Sequence, residues 1–216
     1  QALNDKRGIA WSSNFPALDI RQPIETRIQI NLHSLTLMRE INDLSGQTNM
    51  LNVRGLLLTQ ANDFEHAILA FEECISIASQ TGERRREAIA LGCLAEIALQ
   101  QHQYTLAKKL FHDSLKLGQA LQFPFHLHDL FWMCIVLLVE LDRLYPAMVL
   151  FGAAKAREQL TGQSIFPLQV EYVTLPFQSL EDQRKDSPVY QVAYDKGYKM
   201  VLSEAVDFIL NELCKD

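Results

Sequence analysis

The strongest constraint on what this chain can fold into is a repeat at an offset of forty residues. Ala67, Ala107 and Ala147 recur at that spacing, and so do Phe71, Phe111 and Phe151. The same register aligns Met50/Ala90/Leu130, Val53/Cys93/Met133, Leu57/Ile97/Leu137 and Cys74/Ser114/Ala154, apolar or small in every copy. Within each unit these columns step by three and four, the spacing of one face of a helix. Each unit therefore reads as two helices: first helices near 47–60, 84–101 and 126–141, second helices near 64–79, 104–121 and 145–159. Breakers stand between them at Asn62-Asp63, Thr81-Gly82 and Thr161-Gly162, and Pro146 falls in a first turn, where its missing N–H matters least. A small Ala lets a paired helix approach, and the Phe one turn later fills the space beside it.

These columns predict an all-α chain, a right-handed α-solenoid of antiparallel helical hairpins with a period of about 40 and a C-terminal helical cap. Three divisions follow: an N-terminal segment and partial repeat helix over 1–45, three hairpins over 46–162, and the cap over 163–216. Within the first, 24–44 reads as a single helix, with Ile28, Leu32, Leu35, Met38 and Ile41 on one face. Residues 1–23 read as surface chain or the end of an earlier repeat. Beyond Gly162, Pro167, Pro176, Ser187-Pro188 and Gly197 divide the remainder into short helices that would cover the exposed end of the stack.

The small residue in the first helix (Gly55, Ala95), the Ala twelve later and the Phe four after that resemble the tetratricopeptide repeat, here lengthened from thirty-four residues. In the C-terminal third, "LFGAAKAREQLTG", a Pro-containing spacer and "AYDKGYKMVLSEAVDFIL" are similar to the end of the tetratricopeptide region in bacterial signal-transduction ATPases and LuxR-type transcriptional regulators. Phe151, Gly152, Ala153 and Ala154 match the first motif; Gly197, Glu204, Ala205 and Val206 match the second. Tyr194 stands where that family often has Trp, and Val201 where it often has a Ser or Thr cap. The resemblance implies a sensor or docking arm of a bacterial, cytoplasmic signalling or transcription-regulating protein, beside an ATPase domain on which it could pack.

Chemistry-bearing motifs are lacking: no G-x-x-x-x-G-K-[ST] loop, no H-E-x-x-H, no G-x-S-x-G elbow. His126-Leu-His128-Asp129 is the sharpest potential metal cluster, yet i and i+2 side chains on a helix point apart, so no metal site is expected. No cofactor is implied. A formal net charge of −6 with no Lys/Arg stripe opposes direct nucleic-acid binding, and the longest apolar run, near Leu130–Val139, is too short to span a membrane. The expected activity is therefore non-catalytic binding of a protein or peptide. First helices of stacked hairpins line a groove, where the positions unused by the repeat columns are Asn49, Asn52, Leu56 and Gln60, then Gly92, Glu96 and Gln100, then Asp129, Trp132, Val136 and Glu140; all but Gly92 and Val136 are the nine candidate contacts. Asn and Gln would bond a peptide backbone, and Trp132 would be the apolar anchor. Two other outcomes stay open. The groove could be filled by the cap, leaving a structural scaffold for oligomerisation or packing on an ATPase domain, or Glu96, Asp129 and Glu140 could converge as catalytic carboxylates.

Overall fold

The computed structural model describes residues 5–162 and 170–215, together with side chains except those of Ser13 and residues 170–174. Among them every regular element is helical and no strand occurs. After α1 (Lys6–Asn14) and a 3₁₀ turn (Phe15–Leu18) come α2 (Ile24–Glu40), α3 (Leu44–Gln60), α4 (Phe64–Thr81) and α5 (Arg84–Gln100). Then follow α6 (Tyr104–Ala120), α7 (Pro124–Glu140), α8 (Leu144–Thr161), α9 (Val170–Asp186), α10 (Pro188–Tyr198) and α11 (Leu202–Leu213). No helix among the described residues is long and apolar enough to cross a membrane.

From α2 to α8 the helices begin twenty residues apart, and the chain turns between them in one way. Asn42, Asn62, Gly82, His102, Gln122, Asp142 and Gly162 all have positive φ, from 48° to 75°. One residue further on, the N–H groups of Asp43, Asp63, Glu83, Gln103, Phe123 and Arg143 reach back five residues to the carbonyls of Met38, Leu58, Ala78, Ala98, Gly118 and Leu138, at 2.8–3.0 Å. This is the six-to-one bond of a Schellman turn, which satisfies a carbonyl the helix end would otherwise orphan. Asp43 and Asp63 also cap the next helix, their carboxylates accepting from Gly46 N and His66 N. The sequence showed Asn62, Gly82 and Gly162 as breakers but not Asn42, so 24–44 read as one helix. In fact α2 stops at Glu40, because Asn, like Gly, tolerates the left-handed region.

The chain forms two compact units, residues 1–97 and 98–216. In the first, Leu35, Met38, Met50, Leu51, Leu58, Phe71, Cys74 and Ile97 make one core. Ala10 of α1 belongs to it and Trp11 packs against it, so the N-terminal segment is a built part of the unit rather than surface chain. Gly55 is required by this packing, since a Cβ there would stand 2.5 Å from the ring of Phe71. Glycine lets the far edge of that ring approach the α3 backbone, which completes the packing of the small-residue and Phe columns.

In the second unit α7 is buried on nearly every side, from His126 to Leu138, apart from Asp129. Phe111 and Phe151 are buried to 1% exposure or less, as are Ala107 and Ala147. α8 and α10 cross at their glycines. A Cβ on Gly152 would lie 2.9 Å from the Tyr194 carbonyl carbon and the Tyr198 nitrogen, and nearer still to the Tyr194 oxygen. One on Gly197 would lie 2.7 Å from the Val149 carbonyl carbon and 3.1 Å from Ala153 N. Gly197 thus lies in the last turn of α10, one residue before its end at Tyr198, where a break was expected, and it also serves close approach. Pro176 likewise lies inside α9, whereas Pro188 opens α10 as expected at a first turn. Pro167 lies outside the described residues. α11 is tied back by Arg143, which bonds the Glu212 carboxylate and, at 2.8 Å, its carbonyl. At its start Glu204 accepts the Val201 N–H at 3.0 Å, so the acidic half of a capping box works although Val201 has no hydroxyl.

Candidate functional site

The nine groove positions meet different fates. On α3, residues 49, 52, 56 and 60 follow helical spacing and share a face. Leu56 is 39% exposed, Asn49 is half-buried, and Asn52 is nearly buried with its Oδ1 lacking a hydrogen-bond partner. Gln60 at the end of the row accepts from Arg27 Nη1 at 3.0 Å, while Arg27 Nε is held by the Ala17 carbonyl. Glu96 and Gln100 on α5 are half-buried, one in each unit.

On α7 the expectation for Trp132 is corrected: it is 2% exposed and is a core residue. α9 lies over it, with the Phe177 ring 5.0 Å from its centroid, while Phe151, His128 and the Lys155 ammonium close the other sides. The physical reason is that the chain beyond Gly162 supplies a helix whose own aromatic residue buries against the indole, which is worth more than leaving it in water. Its Nε1–H is left without an acceptor. Glu140 is exposed and accepts from the Tyr104 hydroxyl at 3.0 Å, which in turn contacts His102 Nδ1 at 2.9 Å. Asp129 reaches solvent, yet apolar surroundings raise its carboxyl to about 6. Asp129 and Glu140 stand eleven residues apart on one helix, a rise of about 16 Å, so these two carboxylates do not converge.

The two histidines of α7 point apart, as their spacing requires. His126 Nε2 is 2.8 Å from Ser114 Oγ and its ring stacks on Phe123, and burial lowers its pKa to about 4. His128 bonds the Ala154 backbone and stands edge-on to Trp132, and burial lowers its pKa too. Among the described residues no group of three or more His, Cys, Asp and Glu could hold a metal.

No pattern in the sequence points to a cleft of roughly 340 Å³ in the second unit, between the C-terminal half of α8 and the α10–α11 turn. Phe131, Ala153, Ala156, Met200 and Leu202 line its walls, and Arg157 and Lys199 supply two cations. At its mouth Leu160 is 80% exposed and Val201 60%. Tyr198, also lining it, donates its hydroxyl to Gln159 Oε1 and ties the two helix ends together. Arg157 and Lys199 are 42 positions apart and share no motif; only the glycine crossing of α8 and α10 brings them to one place. No protein-family description, curated protein or solved structure matches this chain.

Proposed function

We propose that the chain is a non-catalytic, tetratricopeptide-like regulatory module that holds a protein or peptide partner. In this reading it is a right-handed solenoid with a forty-residue unit, the docking or sensor arm of a bacterial, cytoplasmic signalling or transcription-regulating protein. Helices beginning every twenty residues, each closed by the same left-handed turn, support it, as do the buried Ala/Phe pairs. The α8–α10 crossing gives the two family-like motifs a physical purpose, since Gly152 and Gly197 are the residues at which the backbones touch.

The observation that carries the binding role is the contrast between two first helices. α9 covers the face of α7 through Phe177, whereas the face of α3 keeps Leu56 exposed, with the half-buried Asn49 beside it and Asn52 buried beneath. An exposed apolar side chain beside a partly accessible amide suits an extended peptide, whose backbone needs hydrogen bonds and whose side chain needs apolar cover. The same α9 contact favours a second reading, a scaffold whose cap is purely structural. The two separate in a screen of immobilised neutral, basic and acidic peptide pools against the protein and its Leu56→Glu variant. Capture of a neutral or basic pool, lost in the variant, supports docking on α3; no capture of any pool supports the scaffold.

A further inference from the structure

The cleft beside Arg157 has an electrostatic character opposite to that of the chain as a whole. Acidic residues outnumber basic ones 26 to 20, yet the lining contains two cations, one phenol and no carboxylate. Among the described residues neither Arg157 nor Lys199 makes a salt bridge, and Arg157 Nε is buried without an acceptor. Burying a guanidinium N–H with nothing to receive it is unfavourable by more than most surface contacts return, and native structures rarely leave such a donor unmatched. The remaining walls are apolar, and the volume stands near the lower end of the ~300–1,000 Å³ typical of small-molecule sites.

We propose that this cleft binds a small amphipathic monocarboxylate, a short acyl chain whose carboxylate meets Arg157 and Lys199 while its tail lies on Ala153, Ala156, Met200 and Leu202. The planar guanidinium presents paired donors that match a carboxylate. The tail covers Leu160 and Val201 at the mouth, apolar surface that is otherwise wet. A multiply charged, wholly polar anion would leave those walls uncovered, and an amphipathic amine would meet two like charges. This site is separate from the α3 face and does not depend on peptide docking there.

The test is a titration of the whole chain followed by amide and arginine Nε–H NMR, using octanoate, octylamine, 1-octanol, acetate and a short peptide ending in leucine with a free carboxylate. Octanoate should saturate a single site, moving the Arg157 Nε–H and the amides of residues 199–205. Acetate, 1-octanol and octylamine should each bind at least tenfold more weakly. Arg157→Gln and Lys199→Gln should each weaken octanoate on the order of tenfold, the scale of one charge-assisted hydrogen bond, with thermal melts unchanged for exposed Lys199. Should Arg157→Gln unfold, the Lys199 variant and a cleft-filling Ala156→Leu still decide the matter. Equal binding of octanol or octylamine, no saturable shift with octanoate, or affinity indifferent to both variants overturns the proposal. Tighter binding of the leucine peptide than of octanoate also overturns it, assigning the cleft to a chain terminus.

Discussion

Gly197→Ala places one methyl group where two backbones meet. The added Cβ would stand 2.7 Å from the Val149 carbonyl carbon and 3.1 Å from Ala153 N, against the roughly 3.5–4.0 Å at which carbon atoms pack. Both neighbours are main chain inside α8, so no rotamer change relieves the clash, and α10 must retreat by about 1 Å. A gap of that size forfeits a quarter to a half of the dispersion energy along the crossing. Overpacking of this kind typically costs about 1–3 kcal/mol, here at the upper end, and the better helix propensity of Ala returns about 1. The net expectation is a loss of about 2 kcal/mol, read as a lower urea midpoint at unchanged slope. Gly152→Ala should behave alike, and the double variant should lose clearly less than the sum, since one retreat of α10 relieves both clashes. Gly118→Ala is the milder comparison, because its new methyl meets side chains rather than backbone, Leu127 Cδ2 at 2.9 Å and the His126 ring at 3.2 Å. A Gly197→Ala protein as stable as the parent, or strict additivity of the pair, would refute the crossing as described.

Phe111→Ala should lower stability by about 3–5 kcal/mol, because the ring is fully buried, whereas an exposed His66→Ala should shift the urea midpoint little. Trp132→Ala should cost a similar ~3–5 kcal/mol and leave peptide capture on α3 intact; lost capture at unchanged stability would return Trp132 to the binding surface. His126 prefers to be neutral in the folded chain, with its pKa lowered to about 4, so its contribution is present above about pH 6.5 and lost as pH falls toward 4. By pH 5 that amounts to about 2 kcal/mol, and His126→Gln, which keeps a partner for Ser114, should flatten this part of the profile. Asp129 acts oppositely: its raised carboxyl favours the folded state below about pH 4 and loses that contribution as pH rises through about 6. Asp129→Asn should therefore steepen the loss on acidification.

The helical faces were legible because periodicity reports burial directly, and Ala67, Phe71, Ala107, Phe111, Ala147 and Phe151 are all in cores. The turns were half legible. Gly82 and Gly162 announce a left-handed residue, whereas His102 and Asp142 are only modestly favoured there and Gln122 not at all, so the Schellman bonds around them impose the conformation. Trp132 was misplaced because a helical face says which residues align, not whether a later segment will cover them, and the side chain that does so, Phe177, is 45 positions away. Arg157 and Lys199 lay beyond sequence reasoning for a related cause: their approach depends on two glycines whose close contact has no periodic signature.

Hydrogen exchange tests the central claim, that this chain holds a peptide-like partner on an uncovered first helix, most directly. Amide protection is compared for the whole chain alone and saturated with the tightest binder from the peptide pools. The account predicts added protection over Leu44–Gln60, absent in Leu56→Glu, with Pro124–Glu140 unchanged because α9 already covers it. Protection gained over Pro124–Glu140 while Leu44–Gln60 stays the same would contradict it.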